Sequence, residues 1–234
     1  ADCIECQQGK YAAATASSLC TICPAGTYTA SGSSPTCKVC PRGKFNSDEA
    51  SDPALHTSCT ICKSGTFNAD KGTTASFHFS CSKCNRGRYI SDNSETVEKH
   101  DESMDCKQCD PGYYAPLEGA ETCVICEPGT VSAAGAVACS SCPAGYDCSG
   151  AGFQVPCNPG TYSSGGSACI PCETGYMCPG GVDRIECPTG FYQNSESASG
   201  CISCEAGTYQ PETASSKCLH CIQGYFCPKA TTQP

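Results

Sequence analysis

The chain has 234 residues, of which 27 are cysteine, and it carries 14 basic against 23 acidic side chains for a formal net charge of −9. Leu, Ile, Val and Phe together number 27, about 12% of the chain, below the ~20% expected of a globular domain, so a central hydrophobic core is excluded. The basic residues are scattered rather than set in a stripe that follows phosphates, which excludes nucleic acid as a partner, and the acidity serves solubility.

One small pattern recurs from end to end. A cysteine is followed three residues later by glycine at Cys6, Cys23, Cys40, Cys62, Cys84, Cys109, Cys126, Cys142, Cys157, Cys172, Cys187, Cys204 and Cys221. Ten of these thirteen repeats place Tyr or Phe two residues after the glycine; Val131 stands there in one, and Tyr146 and Tyr176 come one residue early in two others. A period of about 17 residues predicts a quasi-one-dimensional array in which each repeat touches mainly its neighbours. The invariant glycine predicts a turn with positive φ or a close backbone approach. The aromatic is the only large apolar group that most repeats own, and it is expected to lie over a disulfide or a neighbouring repeat as a miniature core. Short paired strands are expected around the aromatics. Ser31 to Ser34, Ser163 to Ser167 and Ser195 to Gly200 read as turns at the loop tips, and no segment has the apolar period of a long amphipathic helix.

By these features the chain divides into regular repeats over 1–39, three repeats with expanded loops over 40–108, regular repeats over 109–141, and repeats alternating with short Cys-x5-Cys units over 142–234. No apolar run reaches the 18 residues of a membrane span, and no segment reads as a secretion signal. The array is expected to be a fragment of a longer one.

Cysteine density of this order is stable as disulfides in an oxidising compartment, which implies the secretory pathway and an extracellular or cell-surface location. Eleven Cys-x-x-Cys pairs also invite a zinc reading, against which stand the variable spacers, the single cysteines at Cys148, Cys157, Cys178, Cys187 and Cys227, and the acidity. A thioredoxin-like reading fails for want of alternating strands and helices. If each opening cysteine bonds to the next in sequence, the bridges are Cys6 with Cys20, Cys23 with Cys37, Cys40 with Cys59, Cys62 with Cys81, Cys84 with Cys106, Cys109 with Cys123, Cys126 with Cys139, Cys142 with Cys148, Cys157 with Cys169, Cys172 with Cys178, Cys187 with Cys201, Cys204 with Cys218 and Cys221 with Cys227. Cys3 is left over and takes a partner upstream of the fragment. A rival scheme bonds Cys148 to Cys157 and Cys178 to Cys187, and sequence alone leaves both open.

Cys-Pro-Ala-Gly-Thr-Tyr at 23 to 28, Cys-Asn-Pro-Gly-Thr-Tyr at 157 to 162 and Cys-Pro-Ala-Gly-Tyr-Asp-Cys at 142 to 148 resemble ephrin-receptor-type cysteine-rich repeats, which are similar to the first half-module of tumour-necrosis-factor-receptor domains. The resemblance covers essentially the whole chain. It implies a small disulfide-rich repeat protein, an elongated rod of stacked short loops or β-hairpins with little regular secondary structure. Such repeats occur in receptors, in secreted matrix-like proteins and in surface proteins of unicellular eukaryotes, so the module does not by itself define a role.

Individuality lies in the loops of the repeats at Cys40, Cys62 and Cys84, which hold 18, 18 and 21 residues between cysteines where most others hold 11 to 13. Phe77, His78 and Phe79 are the candidate protein-contact residues there, because repeat proteins commonly place insertions on a binding face. Asp92, Glu95, Glu98, Asp101, Glu102 and Asp105 lack the ligand spacing of a calcium loop, and a mobile acidic loop is the preferred reading. No recognisable catalytic constellation occurs, so no enzyme, metal or cofactor is expected. No Asn-x-Ser/Thr sequon occurs, while Ser and Thr at the loop tips offer acceptors for O-linked sugar. The partner class is protein, through self-association or a protein ligand. The two functions that remain are a building unit of an extracellular filament or coat, and a ligand-binding receptor ectodomain or stalk.

Overall fold

A computed structural model describes residues 4–15, 17–166 and 168–233; Cys3 lies outside the described residues. Twelve of the thirteen repeats are each one antiparallel hairpin of two-residue strands, and the repeat that opens at Cys221 has no strand among the described residues. The first strand follows the glycine and carries the aromatic, and the second lies between one repeat's closing cysteine and the next repeat's opening cysteine. Tyr28 thus pairs with Lys38 and Tyr209 with Leu219. Among the described residues there is no α-helix, and four short 3-10 turns lie in the expanded loops. The chain forms two compact bodies, Ala1–Val124 with Ala134–Ala138, and Ile125–Ala133 with Cys139–Pro234.

Thirteen disulfides close the repeats, each from an opening cysteine to the next cysteine in sequence, with Cα–Cα distances of 5.6 to 5.9 Å. Closing one 15-residue loop stabilises the fold by roughly 3 kcal/mol on the chain-entropy account. Every described cysteine is consumed in these bridges, so no thiolate is left for zinc.

Hydrogen bonds then tie each repeat to the next. The N–H of Gly26 donates to the Asn46 carbonyl (2.8 Å), and its own carbonyl accepts from Cys40 N–H (2.9 Å). The same two-bond pattern runs from Gly9 to Gly87 in the first body and from Gly129 to Gly207 in the second. Loop-tip residues add a third bond. Ser33, Ser197 and Ala214 adopt left-handed φ of 56°, 57° and 52° and donate to the carbonyls of Cys6, Cys172 and Cys187 in the preceding repeat.

The glycine is required for two reasons. Gly26 has φ of 75°, and a Cβ there would stand 2.0 Å from the carbonyl oxygen of Ala75, two repeats ahead. Gly175 is in the same position, with φ of 86° and the Ala214 oxygen at 2.1 Å from a Cβ. The cavity left by the missing side chain is the seat of another repeat's backbone.

The strand aromatics are half-buried rather than enclosed, and Phe67 packs on the Cys84–Cys106 bridge and Ile90 of the next repeat, as expected of a miniature core. The buried positions are the opening cysteines, such as Cys23, Cys40 and Cys187, and the residue just after the aromatic, including Thr29, Asn46, Asn68, Ile90, Ser163, Gln193 and Gln210. Tyr28, Phe45 and Tyr192 are half-buried, because a single hairpin offers an aromatic ring a packing surface on one side only. The inner column tolerates polar residues since each is satisfied locally. Gln193 Nε2 donates to Gly200 O and its Oε1 accepts from Ser195 N–H, and Gln210 does the same with Lys217 and Glu212.

Gly175→Ala is expected to lose about 1–2 kcal/mol from the left-handed backbone alone, with the clash against Ala214 in addition. Gly150→Ala is expected to be neutral, because nothing lies within 4 Å of a Cβ there. Urea unfolding of the two oxidised variants checks the contrast.

Candidate interaction surface: the expanded loops

The three expanded loops repeat one constellation. Each places an aspartate eight residues after the opening cysteine and a histidine eight residues later, giving Asp48 with His56, Asp70 with His78, and Asp92 with His100. The aspartate folds the loop by gathering N–H groups. Asp48 accepts from Ser51 and Asp52 N–H and from the Ser51 hydroxyl. Asp70 accepts from the N–H groups of Gly72, Thr73 and Thr74, and Asp92 from those of Glu95 and Thr96. This local side-chain bonding competes well with regular structure in a polar stretch, and it leads into the 3-10 turns Pro53–His56, Ala75–His78 and Val97–Lys99.

Each turn drives its histidine inward, and all three rings are fully buried. Nε2 meets its own loop's aspartate at 2.8 Å in His56 and His78 and at 3.2 Å in His100. Nδ1 meets a main-chain carbonyl of the preceding repeat, Thr27 at 3.1 Å, Lys44 at 2.9 Å and Thr66 at 2.7 Å. The histidine carbonyls accept from Thr29, Asn46 and Asn68 N–H in the same preceding repeats. Each histidine is therefore a staple between consecutive repeats. Asn46 and Asn68 complete the first two sites, donating to Leu55 and Phe77 carbonyls. Ile90 stands where the third would have its asparagine, so the ring nitrogens of His100 face only the Thr66 carbonyl and the Asp92 carboxylate.

The charge balance follows from these contacts. The Ser51 hydroxyl leads the groups that hold the Asp48 carboxyl well below the usual range, against opposition from burial, with His56 next. Burial likewise opposes ionisation of Asp70, but His78 and the Thr73 groups hold it well below that range. The Thr96 N–H, with Lys99 and His100, brings Asp92 down to about 2 against burial. Asp101 moves the other way, pushed up by burial and by the neighbouring Asp105.

His78 was expected at the surface with Phe77 and Phe79. The structure corrects this: His78 is fully buried as a staple, while Phe77 and Phe79 on either side are 65% and 42% exposed. Leu55, one residue before His56 as Phe77 is before His78, is 56% exposed. Of the six acidic side chains of the third loop, Asp92, Asp105 and Glu102 are engaged with the chain itself: Asp92 as described, the other two in a reciprocal cap, and Glu102 with Arg42 at 3.2 Å. Among the described residues no group of three His, Cys, Asp or Glu side chains could hold a metal ion. The staples were missed in the sequence, although the eight-residue spacing of Asp and His, three times over, was their signal.

Residues 9–54 match the family described as tyrosine-protein kinase ephrin type A/B receptor-like. The repeated hairpins and their disulfides agree with that match and make the repeat ephrin-receptor-like in its cysteine-rich design. No curated protein matches the chain. No described helix is long and apolar enough to cross a membrane.

The pH dependence of the loops has a definite sign. A carboxyl with a lowered folded pKa stabilises the fold fully above its unfolded value and loses that contribution as pH falls through the folded one. Protection of the Asn46 and Asn68 amides in hydrogen exchange is therefore expected to hold above about pH 4 and to decline towards pH 2. Asp70→Asn is expected to flatten this dependence at the Asn46 amide, which bonds to the His78 carbonyl.

Proposed function

We propose that the chain is a non-enzymatic extracellular protein that works by protein contact, as a building unit of a surface or extracellular filament or coat. The observation that carries this reading is the inter-repeat ladder within each body, in which disulfides and the glycine seats stiffen the stack. In the expanded loops the buried histidines are spent on holding neighbouring repeats. The cysteine chemistry and the family match support the extracellular location. Electron microscopy of native, unreduced material containing the chain is expected to show ordered filaments with a regular repeat, and isolated particles alone would defeat the structural reading.

A receptor-type reading is favoured by one specific observation, the exposed Leu55, Phe77 and Phe79 on consecutive expanded loops. Aromatic anchors of this kind dominate protein interfaces when a partner buries them. On that reading Phe77→Asp with Phe79→Asp abolishes ligand capture and leaves disulfide pairing unchanged, because neither side chain is buried within the loop. Retained capture by the double variant would remove the loops from the contact.

A further inference from the structure

The hairpins of the second body expose an aliphatic side chain at one repeated position. This is the first residue of the second strand, occupied in five consecutive hairpins by Val155, Ile170, Ile185, Ile202 and Leu219, each between 40% and 60% exposed. The same position holds Thr21, Lys38, Thr60, Ser82, Lys107 and Val124 in the first body, where only the last is aliphatic, and Ser140 in the hairpin before the row. The difference is not imposed by the fold, since both bodies use the same hairpin and the same disulfide register. Neighbours across the strands extend the apolar surface: Ile170 pairs with Tyr162, Ile185 with Met177 and Ile202 with Tyr192. Together these side chains present on the order of 600 Å² of apolar surface, at the upper end of what a monomer leaves open and most of the ~800 Å² per partner of a specific interface.

Charge chooses the occupant and its direction. At one end of the row Asp147 pairs across the strands with Val155; Ser149 holds its carboxyl below the usual range. At the other end the exposed Lys217 lies two residues before Leu219. A second copy laid antiparallel sets Asp147 beside Lys217 of the partner copy at both ends and Ile185 against itself at the centre. A parallel copy would set like charges together at each end, which costs affinity and suppresses that arrangement.

We propose that the face bearing Val155, Ile170, Ile185, Ile202 and Leu219 is an isologous contact with a second copy of this chain, packed antiparallel about a twofold axis at Ile185. This rests on the reading of the chain as an assembling protein and names a surface for it. An isologous contact closes on itself and gives a pair, so growth into a filament uses a separate contact.

Sedimentation velocity of the oxidised chain over a range of concentrations tests the pair. A dimer is expected, reduced to monomer by Ile185→Lys, whose exposed site leaves the disulfides and hydrogen exchange unchanged. Asp147→Lys and Lys217→Asp are each expected to weaken dimerisation by about tenfold, and the two together to restore it. A benzophenone side chain at position 185 is expected to cross-link to position 185 of the other copy. A monomer throughout, a dimer indifferent to Ile185→Lys, or a double reversal that fails to restore it would overturn the contact. Native filaments that persist with Ile185→Lys and contain no such pair would overturn the contact while leaving the filament reading standing. A dimer without filaments would do the reverse.

Discussion

The approach of one repeat's backbone to the glycine of a repeat two places earlier is the constraint on which the rest depends. At Gly26 and Gly175 the carbonyls of Ala75 and Ala214 stand where a Cβ would be. The inter-repeat hydrogen bonds begin from the same residues. A fold whose buried sulfur and polar column hold little apolar area cannot rely on hydrophobic burial for specificity. It relies on backbone groups brought close enough to pair, and close approach needs the missing side chain.

The histidine staples answer a difficulty that the longer loops create. A loop of 18 or 21 residues closed by one disulfide has more freedom than a loop of 13, and each aspartate withdraws some of it by binding several N–H groups. The histidine then fastens the ordered loop to the repeat before it. Burying an imidazole is tolerated because both ring nitrogens have partners. The exposed Leu55 and Phe77 follow geometrically, since a residue adjacent to an inward-facing histidine in a 3-10 turn faces away from it.

The repeat, its hairpin, the need for glycine and the oxidising compartment were legible because a cysteine followed by glycine at fixed spacing is written thirteen times. Which cysteine bonds to which was narrowed to two schemes, and the spacing of Cys148 from Cys157 could not choose between them without the hairpin geometry. The aromatics were read as a miniature core, and Phe67 on the Cys84–Cys106 bridge fits that reading, while the strand aromatics stay only half-buried. His78 was misplaced. Its flanking phenylalanines drew it towards a contact surface, whereas its relation to Asp70 eight residues earlier, across a turn that leaves no periodic trace, decides its position. The aliphatic row from Val155 to Leu219 was written in the sequence at a constant place before each cysteine, but its exposure depends on which hairpin face is left open.

The disulfides have a consequence for how the protein is made. No bridge spans more than 22 residues, and none encloses or crosses another. Each cysteine's partner is therefore its immediate neighbour in the order in which the chain enters an oxidising lumen. Native pairing needs no cysteine to wait for a distant one, and the competitors of each bridge are confined to the cysteines of the adjacent repeats.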